Sequence, residues 1–154
     1  AYTGSFDNVA NGKQVAQDLL AKGADVVFHA AGADGIGAIH AVKEARQQGK
    51  AAFAIGVDSD QWHVAPEAVL TSMVKRVDLA VYETARELSE GRFAAADVAL
   101  GLKEDAVGYA EVRVDFPGKE EALAKVEALR KRIVSGELRV PATTEELASF
   151  KASP

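Results

Sequence analysis

Three apolar runs, each giving way to a glycine- or acid-rich turn, constrain this chain more than any other feature. They are Phe28-His-Ala-Ala-Gly-Ala-Asp-Gly-Ile-Gly37, Ile55-Gly-Val-Asp-Ser-Asp-Gln61 and Leu70-Thr-Ser-Met-Val-Lys-Arg76. Between them, apolar residues recur at helical spacing. Strands alternating with helices imply an α/β fold with a parallel, Rossmann-like sheet and right-handed crossovers. In such a sheet all three turns gather at the carboxyl edge of the strands, where a polar ligand can be held.

The elements can be placed along the chain. Asn8 caps a helix running to about Lys22, with Val15, Ala16, Leu19 and Leu20 on one face and Gly23 as its stop. Residues 26–30 form a short strand covered on both faces, and residues 36–48 a second amphipathic helix ended by Gly49. Strands over 51–57 and 69–74 follow, then a helix over 77–88 closed by Gly91. Past that point the pattern changes. Residues 98–102 and 107–114, clustered around Gly101 and Gly108, read as two shorter strands. Residues 122–134 form a charged helix stopped by Gly136, and Thr143 with Glu146 spells a capping box for a last short helix.

Composition narrows the function classes. The 154 residues fit one domain or one lobe, and 48% of them are hydrophobic, enough to build a core. With 18 Lys plus Arg against 23 Asp plus Glu, the net charge is −5 and the cations are scattered, so no nucleic-acid partner is expected. The absence of cysteine removes disulfides, thiolate metal sites and cysteine nucleophiles. No apolar run approaches the roughly 18 to 20 residues of a membrane span. Residue 1 is Ala, and Ala1-Tyr-Thr-Gly-Ser-Phe6 reads as the tail of a strand that begins upstream. A fragment or a processed chain is the expectation, with any targeting segment outside it.

Catalytic signatures do not emerge. Gly32-Ala-Asp-Gly35-Ile-Gly37 stands between a strand and a helix, the setting of a phosphate loop, but its order is G-x-x-G-x-G, not the dinucleotide order. Asp34 would repel phosphate unless it turned away to cap a helix. The glycines serve either a tight turn with close helix packing or a backbone contact to an uncharged polar ligand. Neither a P-loop nor a G-x-S-x-G elbow occurs. His29, His40 and His63 lack metal spacing, and His29, at a strand end, reads as a satisfied structural residue. No cofactor is implied.

Two charged residues stand out because both end a strand of the same sheet. Asp58 is placed to accept hydrogen bonds from a vicinal diol such as ribose, whereas Asp60 more naturally caps its own loop. Lys75 points a cation at the same edge. Phe6 and Trp62 are aromatics in edge loops where a planar base could stack, or they simply cover the core.

Taken together, Gly23-Ala-Asp-Val-Val-Phe-His-Ala-Ala-Gly32, Gly35-Ile-Gly37, Ile55-Gly-Val-Asp-Ser-Asp-Gln61 and Val69-Leu-Thr-Ser-Met-Val-Lys75 resemble the basic membrane protein (BMP) family of PnrA-like solute-binding lipoproteins. The match covers roughly residues 2 to 93, with Leu100-Gly-Leu102 and Gly108 compatible beyond it. The resemblance implies one lobe of a type I periplasmic binding protein. Such proteins have two α/β lobes that close on a purine nucleoside and deliver it to an ABC-type permease in the membrane. They bind and do not catalyse. By resemblance, Phe6 is the aromatic that stacks on the base, Gly32 a backbone contact, Asp58 the acceptor for ribose hydroxyls and Lys75 a hydrogen-bonding lysine near the hinge.

The resemblance further implies that residues 1–154 are the carboxyl-terminal lobe with hinge segments, and that a first lobe is absent. The helix over 77–92 would pack on that lobe, or the chain would self-associate through the exposed face. The full-length protein would be periplasmic or on the cell surface, held by a lipid anchor. Two other readings compete. One is a nucleotide- or sugar-processing α/β enzyme using Asp58 or Asp60 as base. The other is the ligand-sensing lobe of a repressor-like regulator, which would need a DNA-binding module elsewhere.

Overall fold

The first helix forms where its cap dictates. In the computed structural model, which describes residues 1–150, the Asn8 side chain accepts a hydrogen bond from the Asn11 amide and opens α1, Val9–Ala21. Strand β1, Val26–Phe28, leads to α2, Asp34–Gln47. That helix starts two residues before the apolar pattern does, because Asp34 is favoured at a helix N-terminus. Strand β2, Phe53–Asp58, a single 3-10 turn at Trp62–Val64 and β3, Val69–Lys75, complete the regular half. After them come α3 (Val77–Ser89), β4 (Val107–Tyr109), α4 (Lys119–Val134) and α5 (Thr144–Ser149).

The four strands stand in the order β1-β2-β3-β4. Strands β1, β2 and β3 run parallel, with Val27 opposite Ala54 and Asp58 opposite Val74. Parallel pairing puts the carboxyl ends of all three on one edge, as the sequence implies. Strand β4 departs from the parallel expectation. It pairs antiparallel with β3, setting Val107 opposite Lys75, so the mixed sheet receives its last strand from the carboxyl edge. The strand expected over 107–114 is reduced to Val107–Tyr109, and the one expected over 98–102 does not form. There the Glu104 carboxylate accepts the Gly101 amide at 2.9 Å while Ala106 N–H donates to the Gly101 carbonyl at 3.0 Å. A local turn has taken the backbone groups that a strand would need.

The core lies between the sheet and the α1–α2 pair. Ile39, Val42 and Val69 are fully buried at its centre, joined by Ala54 and Leu20. The two helices cross in backbone contact. A Cβ on Gly12 would drive into the Asp34 carbonyl, and one on Gly37 into that of Val9. Of the glycines after β1, Gly37 thus serves close helix packing, one of the two roles the sequence left open. By contrast, α3, α4 and α5 bury no residue.

Candidate functional site

Residues expected at the carboxyl edge fall there as two contacting pairs. The first joins Phe6 to the turn after β1. Gly32 takes a φ of +46°, and a Cβ there would come within 2.7 Å of the Phe6 carbonyl. The same carbonyl accepts the Ala33 amide at 2.8 Å. Only glycine combines that left-handed backbone with so close an approach. The Phe6 ring stays exposed at the rim. Behind it, a mostly apolar cavity of about 440 Å³ runs between residues 1–6, α1 and the end of β1, with His29 and Asp34 in its wall. Asp58 and Lys75 do not line that cavity.

The second pair is Asp58 with Lys75. Each ends its strand, the strands are neighbours, and Lys75 Nζ meets Asp58 Oδ1 at 2.6 Å. Both side chains remain about half exposed, at 52% and 57%, so a ligand can reach either. Asp58 holds a φ of +70° although it carries a Cβ. Arg76, the next cation, turns away. Its guanidinium grips the Asp78 carboxylate at the start of α3, leaving Lys75 as the cation of this edge next to Asp58.

Neighbouring residues have structural duties. Asp34 is fully buried, and its Oδ1 accepts the Asn8 amide at 2.6 Å, so this carboxylate has turned to the start of α1 and not to a phosphate. Asp60 accepts the Trp62 amide at 3.0 Å and Arg113 Nη1 at 2.7 Å. Desolvation pushes its pKa up, but the bonds from Arg113 and Trp62 outweigh that and hold it below the ordinary carboxylate value. Trp62 lies under the Arg113 guanidinium, 5.2 Å from ring centroid to Cζ, and one face of its ring is thereby engaged.

Sequence reasoning missed the contacts that lock this edge. His29 is buried and its Nε2 stands 3.0 Å from Gln61 Oε1, which also accepts the Val57 amide at 2.9 Å. Burial lowers the His29 pKa below the usual imidazole value, with the Gln61 bond and the Asp58 charge opposing only in part. The available signal was a histidine at a strand end and a glutamine closing the next acid-rich turn. Among the described residues no three His, Cys, Asp or Glu side chains converge as a metal site would require, and no helix is long and apolar enough to cross a membrane.

The strand ends of this α/β fold thus present an acid–base pair, a glycine turn and an exposed aromatic at the carboxyl edge, where open α/β sheets hold their ligands. The chain belongs to the PnrA-like ABC transporter substrate-binding protein family (Bmp), whose model matches residues 1–144. It is 39% identical over 109 residues to an uncharacterized lipoprotein of Pyrococcus abyssi, covering 70% of this chain and 27% of that one. Over 151 residues it is 34% identical to basic membrane protein A of Borreliella afzelii, covering 97% of this chain and 45% of the relative. Among solved structures, an ABC transporter solute-binding protein from Aeropyrum pernix K1 matches with a TM-score of 0.81 and 30% identity, over 97% of this chain and 49% of that one. The chain spans less than half the length of these relatives.

Proposed function

We propose that this chain is the carboxyl-terminal lobe of an extracytoplasmic, lipid-anchored solute-binding protein that presents a purine nucleoside to an ABC-type permease. The observation that carries this reading is the Asp58–Lys75 pair at the ends of β2 and β3, on the same sheet edge as the Phe6–Gly32 turn. A nucleoside is neutral, flat at one end and rich in hydroxyls at the other. Phe6 offers a ring face to the base, and the Gly32 turn offers backbone polar groups. Asp58, with Lys75 holding Oδ1, has its other carboxylate oxygen to accept from ribose hydroxyls, while the Lys75 ammonium donates to a sugar or base acceptor. The pair compensates its own charge, which suits an uncharged ligand better than a phosphorylated one.

Support for a second lobe comes from α3. Its apolar residues Val77, Val81, Tyr82 and Leu88 are exposed, and the helix buries nothing. In the proposed protein this face packs against the amino-terminal lobe, and closure of the two lobes buries the ligand from both sides. The test is calorimetric titration of the protein with adenosine, guanosine and inosine. Binding of at least one is expected, weakened about tenfold or more by Asp58→Asn through loss of a charged acceptor. Indifference of the complete protein to all three removes the nucleoside assignment.

A further inference from the structure

We infer that Gln61 is the positioning residue of this edge: its side-chain oxygen clasps β2 at Val57 to the end of β1, its backbone N–H is pinned to Ser72 of β3, and together these contacts hold Asp58 where it meets Lys75 and a ligand. The inference rests on the reading of Asp58 as a ligand contact.

The geometry is a closed loop with three anchors. Gln61 Oε1 accepts the amide of Val57, the residue before Asp58, at 2.9 Å. The same oxygen stands 3.0 Å from His29 Nε2 at the end of β1. The Gln61 amide donates to Ser72 Oγ of β3 at 3.0 Å, and both His29 and Ser72 are buried. The orientation of the carboxamide is dictated, because a backbone N–H can only donate and therefore needs Oε1 and not the NH₂ group opposite it. His29 must then carry its proton on Nε2 and donate it to Gln61. One carbonyl oxygen thus ties two strands, and one backbone amide ties a third.

What lies inside the clasp is strained. Ser59 N–H donates to the Val57 carbonyl at 2.8 Å, a three-residue turn with Asp58 at its centre and a φ of +70°. The positive-φ form of this turn is rare and strained, and a residue with a Cβ keeps it only where the surroundings over-determine it. Gln61 supplies that constraint from both sides, since it grips the residue before Asp58 and is itself pinned to β3. A Cβ on Gly56 would come within 2.5 Å of Gln61 Oε1 and 2.6 Å of Ser72 Oγ. The bare backbone there leaves the clasp its room.

Two substitutions separate positioning from a merely structural role. Gln61→Leu removes the acceptor, and Gln61→Glu keeps an acceptor oxygen at the same reach. Each is titrated with adenosine, guanosine and inosine, alone and in an Asp58→Asn background, and each is crystallised. For the nucleoside bound by the unaltered protein, Gln61→Leu is expected to weaken binding about tenfold and Gln61→Glu less than about threefold. In the Asp58→Asn background the further loss from Gln61→Leu falls below about twofold, because the residue acts through Asp58. The Gln61→Leu crystal should show Asp58 out of the left-handed region and Lys75 Nζ beyond about 4 Å from its carboxylate. An equal loss in both backgrounds, or Asp58 unmoved in that crystal, overturns the inference. Should the protein bind none of the three nucleosides, the ligand reading falls by itself and the crystal alone decides the role of Gln61. If Gln61→Leu does not fold, the shorter Gln61→Asn, which cannot span to Val57, takes its place under the same criteria.

Discussion

Residues 9–75 and residues 77–149 obey the same local rules and end in different physical states. In the first region the amphipathic faces of α1 and α2 meet each other and the sheet, and the contiguous buried core runs from Ala16 to Val69. In the second, α3, α4 and α5 form from equally sound local signals, yet none buries a residue. Ala106, beside β4, is the buried hydrophobic among the described residues of that region. The difference teaches that periodicity makes a helix and a partner makes a core. The candidate site sits at the boundary, with Lys75 ending the packed region and Arg76 opening the unpacked one.

The contrast is most easily broken by truncating one apolar side chain on each side of it. Ile39→Ala, at a fully buried position, should cost about 2–5 kcal/mol in urea unfolding. Leu88→Ala, on the exposed face of α3, should change stability by less than about 0.5 kcal/mol in this chain. Comparable losses at the two positions would mean that α3 is packed after all.

A smaller effect sharpens the contrast through pH. The folded-state pKa of His29 is lowered by burial, so the unfolded chain binds the proton more readily and ∂ΔG/∂pH is positive across that window. Its neutral form contributes fully above the ordinary imidazole value of 6.5, and this contribution is lost as pH falls from there through the depressed folded pKa. Melting curves between about pH 7.5 and pH 5 should show acid destabilisation that His29→Gln reduces. A pH response unchanged by the substitution would separate His29 from the buried region's titration.

The smallest effect belongs to the far end of the chain. Thr143 accepts the Glu146 amide at 3.2 Å and opens α5. Thr143→Ala should weaken that helix by about 1 kcal/mol, detectable in its amide exchange, while the unfolding midpoint of the packed region stays in place. A shift of the main transition would join α5 to the core.

How much of this was legible follows the same boundary. The β-α-β order was readable because the strands are short apolar runs separated by helical spacing, with α1 ahead of them opened by the Asn8 cap. Cover on both faces was not, since β1 buries Val27 and leaves Val26 and Phe28 exposed. The edge location of Asp58 and Lys75 came from that order. Their direct contact did not, since it depends on the register that sets Asp58 opposite Val74. In the sequence Gln61 is only the end of a motif, because a clasp reaching His29 and Ser72 is invisible until three strands stand side by side. Residues 98–102 misled for the opposite reason. Their apolar composition suited a strand, but the Glu104 side chain claimed the Gly101 amide within the same turn.

The pairing of β3 with β4 has a mechanical result. The chain leaves the sheet after Lys75 and comes back to it at Val107, directly opposite, with Arg76 N–H bonded to the Ala106 carbonyl at 2.8 Å. Everything between those points is therefore slung from two adjacent pins. A force on α3 bears on both together, and two peptide links separate the start of that helix from Lys75.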